Sequence, residues 1–347
     1  MKILVVGNFG YKKNNLNGQT VRTRTIKETL IKHLPQSTVK YFDTSYILNI
    51  RKMLSFVCDY LFSKIIVVAL ARRGVKILYP IIVLGNSFFR KQTEFVAIGG
   101  WLDDYIEERP QSIKWLIRAD TIFVQLESLK VKLENRGLYN VVHLPNFRLY
   151  NHKIKSIGED SNIEKFVLYS RIVEEKGVKI AIDATNYLNL TLNKSISLDI
   201  FGPIDASYKD EFQELIAKSN RVKYNGVLNP ENVISALSKY QILLFPSYYR
   251  GEGFPGTILD AFSAGLAVIA SDWKYNSEII KNMENGIICK VKDTKDLVNS
   301  MEFAINNPFC VYEMRKKALL ESKKYEEELV GGIFVKQIEE NYRERLL

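Results

Sequence analysis

The chain has 347 residues, enough for two domains that each bury a core, and it shows no heptad run, internal repeat or low-complexity tract. Residues 1–150 carry 23 Lys and Arg against 11 Asp and Glu, a net of +12, which leaves 26 against 28 and a net of −2 for residues 151–347. No stacking-aromatic or helix-turn-helix pattern accompanies the positive half, so nucleic acid is excluded as its partner. Cys58, Cys289 and Cys310 are odd in number, far apart and without C-x-x-C spacing, which predicts buried thiols in a reducing cytoplasm.

In chain order, Lys2 to Val6 reads as a first strand and Gly7 to Gly18 as a long polar loop, a pattern unlike a signal peptide. Gly7-Asn8-Phe9-Gly10 departs from the dinucleotide fingerprint G-x-G-x-x-G, which speaks against a dehydrogenase. Val21 to His33 is an amphipathic helix ended by Pro35. From Leu54 to Phe89 two apolar runs, Lys64 to Ala71 and Ile77 to Leu84, are split by Arg72-Arg73-Gly74. Neither reaches the roughly 20 apolar residues of a spanning helix. They read either as a buried helix and strand or as a peripheral membrane face fringed by Arg51, Lys52, Lys64, Arg72, Arg73, Lys76, Arg90 and Lys91.

Glu94 to Ile98 is a strand followed by Gly99-Gly100-Trp101. Gly99 and Gly100 would let backbone approach a ligand closely, and Trp101 is either a ring that stacks on it or a core or lid aromatic. Asp103-Asp104 invites a metal reading, but acids there suit the first turn of a helix. Thr121 to Val124 and Val141 to Leu144 are strands around the helix Ser128 to Arg136. Of the three histidines, His33, His143 and His152, the first sits near a helix end and the second in a strand, and without an acid or Cys cluster nearby both read as structural. Arg148 to Lys165 is polar, aperiodic and reads as a linker.

The second half alternates strands and helices, which implies a doubly wound parallel sheet. Phe166 to Leu168, Ser197 to Phe201 (ending in Gly202-Pro203), Val222 to Tyr224, Ile242 to Phe245 and Leu266 to Ala270 are its strands. Arg171 and Lys176 follow the first of them, where such sheets bind ligands, either as partners of a pyrophosphate or as a solvated charge cluster with Glu174 and Glu175. After Ile242 to Phe245, a loop with Glu252 opens into a small-residue helix that carries Asp260 two turns in. The N–H groups at this helix start favour an anion, and an internal acid can accept two hydrogen bonds from a vicinal diol. Phosphate plus diol describes a nucleotide sugar. Glu321 to Leu347 reads as helical, interrupted at Gly331-Gly332.

These segments resemble the family 4 glycosyltransferases, with the fold named GT-B. S-R-I-x-E-E-K-G resembles the family's G-R-(L/I)-x-x-x-K-G, and V-K-Y-N-G-V-L-N-P-E-N its V-x-F-x-G-x-V-x-x-E. Leu144-Pro145-Asn146 resembles its (I/L)-P-N, and P-S-Y-Y-R-G-E-G-F-P-G-T-I-L-D-A-F-S-A-G its P-S-x-x-E-G-F-G-x-x-x-L-E-A-M-A-x-G. The resemblance implies an α/β protein of two Rossmann-like doubly wound domains with the active site in the cleft between them. Residues 1–150 would bind acceptor, residues 151–325 would bind the nucleotide sugar, and residues 326–347 would form a helix that packs back on the first domain.

It implies a retaining, metal-independent transferase without cofactor, moving a sugar from a nucleotide diphosphate sugar, foremost a UDP-sugar, to a hydroxyl of a lipid-linked or growing surface glycan. Of the catalytic residues, Arg171 and Lys176 would neutralise the leaving pyrophosphate and Glu252 would hold hydroxyls of the donor sugar. Gly18, Gly202, Gly253, Phe254, Pro255, Gly256, Thr257 and Asp260 would complete the donor site, and Gly100 with Trp101 would lie on the acceptor side. Where the family has a Gly pair the chain reads Asn17-Gly18, and where it has a second Glu the chain has the shorter Asp260. The expected location is the cytoplasm, at the inner face of the membrane. The alternatives are a sugar phosphorylase-like enzyme and a non-catalytic partner subunit of the same fold.

Overall fold

The computed structural model describes every residue except 14–16, 150–153, 155, 160 and 193–194. The chain divides into two compact units, Met1–Leu149 with Glu326–Leu347, and Tyr150–Tyr325.

The first unit holds six parallel strands, β1 (Lys2–Gly7), β2 (Thr38–Asp43), β3 (Ile65–Ala69), β4 (Gln92–Val96), β5 (Thr121–Val124) and β6 (Val141–His143), in the order β2-β1-β3-β4-β5-β6. Ile3 lies between Val39 and Ile65 in register. The strands β1 and β3 are apolar at nearly every position because helices cover both sheet faces. Helix α1 (Gly18–His33) leads from β1 out to the edge strand β2, whereas α2 (Ile50–Phe62) and α3 (Arg72–Phe88) lead back the other way. Right-handed crossovers therefore put α1 on one face and α2 with α3 on the other. The α1 face gathers Ile3, Val5, Ile26, Leu30, Val67, Phe123, Phe334 and Ile338 into one core.

The second unit repeats the plan with β7 (Lys165–Tyr169), β8 (Ser197–Phe201), β9 (Val222–Tyr224), β10 (Ile242–Phe245), β11 (Ala267–Ser271) and β12 (Gly286–Cys289), all parallel, in the order β12-β11-β10-β7-β8-β9. The chain runs outward from β7 to β9, then crosses back to β10 on the other side of β7. The connections after β7 and β10 therefore lead to opposite sides of the sheet, and their first loops are neighbours at its carboxyl end, the switch point at which open α/β sheets bind ligands.

Several expectations change. Cys58 and Cys310 are exposed and only Cys289 is buried, because the first two lie on outward positions of helices. The last helix, Glu327–Glu344, runs through Gly331-Gly332 without a break. A Cβ at Gly331 would come within 2.8 Å of the Thr29 side chain, so this glycine serves close packing against α1 and not an interruption. Glu327, buried beneath α1, pairs with Lys32 and with His33 Nε2 at 2.8 Å, giving His33 its structural place.

Gly18 is the first residue of α1 and not a loop residue. Asn17 caps that helix reciprocally with Thr20, each backbone N–H donating to the other's side chain at 3.0 Å. The strand expected at Glu94 to Ile98 begins two residues earlier, because Gln92, Thr93 and Glu94 are buried polar residues that an apolar pattern misses. The Lys64 to Ala71 run is mainly the buried strand β3, but Ile77 to Leu84 lies within α3 and alternates buried with exposed residues. Of the expected linker, residues 150–153, 155 and 160 lie outside the described residues, as does His152.

Candidate active site

The second unit's switch point is built from two loops. The loop after β7 carries Arg171 and Lys176 and ends at Gly177, whose φ of 71° turns the chain into the helix Val178–Thr191. A Cβ at Gly177 would strike Pro246 O, so glycine lets the two loops close on one another. Gly202, at the end of β8 with φ of 139°, meets Ser170 O in the same way. It also accepts the Tyr224 hydroxyl at 2.9 Å on its carbonyl.

The loop after β10 starts with Pro246 and Ser247. Ser247 is fully buried, and its hydroxyl donates to Glu252 Oε1 at 2.8 Å. Glu252, 6% exposed, is also paired with the Lys176 ammonium, whose side chain is 13% exposed. Two segments far apart in sequence thus meet through one buried ion pair. A buried pair of this kind is weak support for stability and strong support for a placed charge, since desolvation offsets most of the attraction. The backbone joins the same loops where Tyr248 N–H donates to Glu175 O at 2.7 Å.

Tyr249 organises the outer side of the pair. Arg171 stands over its ring at 5.3 Å and Lys176 at 5.0 Å. The Trp273 indole donates to Tyr249 O at 2.8 Å, and the Ser271 hydroxyl donates to Ser247 O. The loop is thereby tied to the end of β11. Arg171 itself is exposed. Ser247, Tyr249, Ser271 and Trp273 escaped the sequence reading. The only available signal was a Pro-Ser pair at a strand end, which ordinary turns share.

Gly253, Phe254 and Pro255 are buried, and Phe254 packs edge-on against Tyr325 at 5.1 Å. Pro255 is the N-cap residue of the helix Gly256–Ser263, which has no capping side chain. The first-turn N–H groups, those of Gly256 and Thr257 among them, have no acceptor within the helix and favour an anion. Asp260 is buried one turn into this helix, not two.

In the first unit, Gly100 is buried and Trp101 precedes the helix α4 (Leu102–Glu108). The Trp101 indole donates to Ile98 O at 2.6 Å and meets Tyr105 edge-on at 5.7 Å, so the ring is engaged in local packing. Asp103 and Asp104 occupy the first turn of α4, and Arg136 Nε donates to Asp103 at 2.6 Å. Among the described residues, no three His, Cys, Asp or Glu side chains stand together as metal ligands would.

The family model for glycosyl transferases group 1 matches residues 150–324, which contain both switch-point loops and the helix Gly256–Ser263. Among curated proteins, the chain is 26% identical over 189 residues to the Campylobacter jejuni N,N'-diacetylbacillosaminyl-diphospho-undecaprenol alpha-1,3-N-acetylgalactosaminyltransferase, covering 54% of this chain and 48% of that protein. It is 26% identical over 174 residues to the GtfA subunit of a UDP-N-acetylglucosamine–peptide N-acetylglucosaminyltransferase from Streptococcus agalactiae, covering 50% and 33%. These matches span about half or less of each relative's length.

Among solved structures, Anabaena HepE in complex with UDP and glucose superposes with a TM-score of 0.76 at 14% identity, over 98% of this chain and 100% of that one. Sucrose-phosphate synthase from Thermosynechococcus elongatus gives 0.74 at 15%, over 99% of both chains. With two six-stranded parallel sheets and the family motifs at one switch point, the chain belongs to the glycosyl transferases group 1 family and has the GT-B fold.

Proposed function

We propose that the protein transfers a sugar, with retention of configuration and without a metal, from a UDP-sugar to a hydroxyl of a lipid-linked or growing surface glycan. The observation that carries the reading is the buried Lys176–Glu252 pair at the switch point, flanked by Arg171. In this reading Lys176 and Arg171 neutralise the diphosphate as it leaves, where negative charge grows in the transition state. Glu252 accepts hydrogen bonds from hydroxyls of the donor sugar. Gly253 to Thr257 present backbone to sugar and phosphate, Asp260 binds the ribose, and Gly202 and Gly18 give the donor room.

Gly100 and Trp101 face the acceptor in this scheme. The acceptor oxygen bonds to the anomeric carbon on the face from which the phosphate oxygen departs. That oxygen takes the acceptor's proton, so no histidine base is required. UDP is favoured because the similar HepE was solved with it. A lipid-linked acceptor is favoured by the undecaprenol-linked acceptor named for the Campylobacter relative and by the +12 charge of residues 1–150. The same charge supports work in the cytoplasm at the inner membrane face.

Thermal shift against UDP, GDP, ADP and TDP tests the donor, since a ligand that binds only the folded state raises the melting temperature by mass action. UDP is expected to give the largest rise, and the rise is expected to shrink in Lys176→Ala. No rise with any nucleotide, or an undiminished rise in Lys176→Ala, overturns the assignment.

A further inference from the structure

Helix α2 has no buried residue at all. Its half-buried side, Met53, Phe56 and Tyr60, rests on the first unit, where Phe56 meets Phe42 at 4.5 Å and the Tyr60 hydroxyl donates to Asn86 of α3 at 2.8 Å. The outward side is apolar nevertheless. Ile50, Leu54, Val57 and Leu61 recur at i, i+4, i+7 and i+11 and form one stripe. Helix α3 repeats that spacing with Ile77, Ile81, Leu84 and Phe88. These eight side chains are 47% to 81% exposed. The two helices share a sheet face, run in the same direction and are joined near their ends by Tyr60 and Asn86, so the stripes lie side by side. A core helix would bury such a stripe, and a solvated one would not carry it.

The rest of the two helices is basic. They hold Arg51, Lys52, Arg72, Arg73 and Lys76 against the single acid Asp59. Arg72 is taken up by Glu108, but Arg51, Lys52, Arg73 and Lys76 are exposed, as are Lys64 and Arg90 just beyond the helix ends. Directly after Phe88, at the amino end of the sheet, lies a cavity of about 280 Å³ whose lining includes Arg90, Lys91, Arg118 and Arg345. Asp120 holds Arg345 through two hydrogen bonds of 2.6 and 3.0 Å, and the Lys91 ammonium donates to Leu61 O and Ser63 O. Arg345 and Lys91 are thus held by protein partners, whereas Arg90 and Arg118 are exposed and carry the charge that suits a phosphate.

We infer that the outer face of α2 and α3 docks on an anionic lipid leaflet, with the Arg90–Arg118 cavity at its end taking a lipid phosphate. The inference deepens the membrane reading above, on which it rests, by naming the surface and the headgroup site. Paired apolar stripes with a basic fringe are the pattern of helices that lie in a membrane interface, and the charge complements anionic headgroups. A second copy of the chain is the poorer occupant, because a two-fold contact would set this basic fringe against itself. No helix among the described residues is long and apolar enough to cross a membrane, so the contact is lateral.

Co-sedimentation with phosphatidylcholine vesicles, with and without phosphatidylglycerol and at two ionic strengths, tests the surface. Wild-type protein is expected to bind only the phosphatidylglycerol vesicles and to release as salt shortens the Debye length. Leu54→Asp with Ile81→Asp, and separately Arg90→Glu with Arg118→Glu, are each expected to weaken binding by at least ~10-fold while melting temperature and UDP shift stay unchanged. Leu54→Ser with Ile81→Ser serves should the aspartates disturb folding.

Failure of wild-type protein to bind, or undiminished binding in these variants, overturns the inference. So does a concentration-dependent dimer that Leu54→Asp dissolves. Displacement from vesicles by inorganic phosphate at constant ionic strength makes the cavity a soluble-phosphate site and overturns the lipid assignment. Vesicle binding as expected, with no UDP shift, supports the surface and overturns the donor reading instead.

Discussion

The switch point of Tyr150–Tyr325 and the outer face of α2 and α3 break the usual rule of burial in opposite directions. At the switch point a lysine and a glutamate are taken out of water and held by a buried serine. On the outer face, eight large apolar side chains are left in it. The sheets beneath are built alike, each parallel, six-stranded and with one reversal of strand order. The difference teaches where to look for function: strands and buried helix faces follow packing, and a residue type on the wrong side of the boundary is what packing alone leaves unexplained.

Paired truncations sharpen that contrast most. Phe334, fully buried against Phe123 at 4.9 Å, should cost about 3–5 kcal/mol of stability on replacement by Ala. Ile81→Ala on the outer face should stay within about 0.5 kcal/mol. Denaturant melts of both variants measure this, and a large loss at Ile81 would make the outer face part of a core.

At the switch point, Lys176→Ala should lower turnover at least ~100-fold, the scale for removing a transition-state charge partner. It should also lower the melting temperature, because the buried Glu252 side chain loses its ion-pair partner. Adding Glu252→Gln to Lys176→Met should restore melting and leave turnover low. If the double variant recovers turnover with stability, the pair is structural.

A buried charge away from the site provides the control. Burial raises the Glu94 carboxyl to about 8, against the opposing hydrogen bonds from Gln92 at 2.6 Å and Asn341 at 2.8 Å. Between its ordinary value and about 8 the carboxyl is neutral when folded and ionised when unfolded, so unfolding releases a proton and stability falls as pH rises through that window. The slope is at most about 1.4 kcal/mol per pH unit. Glu94→Gln should remove it, and a thermal melt series from pH 5 to pH 8 (roughly the window in which the linkage operates) reads the difference. The smallest expected effect is that of chelation: EDTA should leave transfer unchanged, since Asp103 is occupied by Arg136. Loss of activity restored by Mn²⁺ or Mg²⁺ would break this expectation.

The strand–helix rhythm was legible because a parallel sheet covered on both faces forces short apolar runs, and Ser197–Phe201, Val222–Tyr224, Ile242–Phe245 and Thr121–Val124 are strands with the bounds their composition predicts. The positions of Arg171, Lys176 and Glu252 just beyond strand ends were legible too, from the strand–loop–helix pattern around them. Local pattern could not reveal which charges meet. The Lys176–Glu252 pair spans a long sequence separation and exists only because β7 and β10 are neighbours. Nor could it tell that Gly331-Gly332 continues a helix, because a glycine that breaks a helix and one that lets two helices touch are the same residue until Thr29 stands opposite. Periodicity in Ile77 to Leu84 marks an apolar face but not what covers it. Only packing decides that this stripe looks outward, because Val75, Tyr79, Ile82 and Val83 take the buried side of α3, so the meeting of Lys176 with Glu252 and the exposure of Ile77, Ile81, Leu84 and Phe88 are both tertiary facts written in ordinary residues.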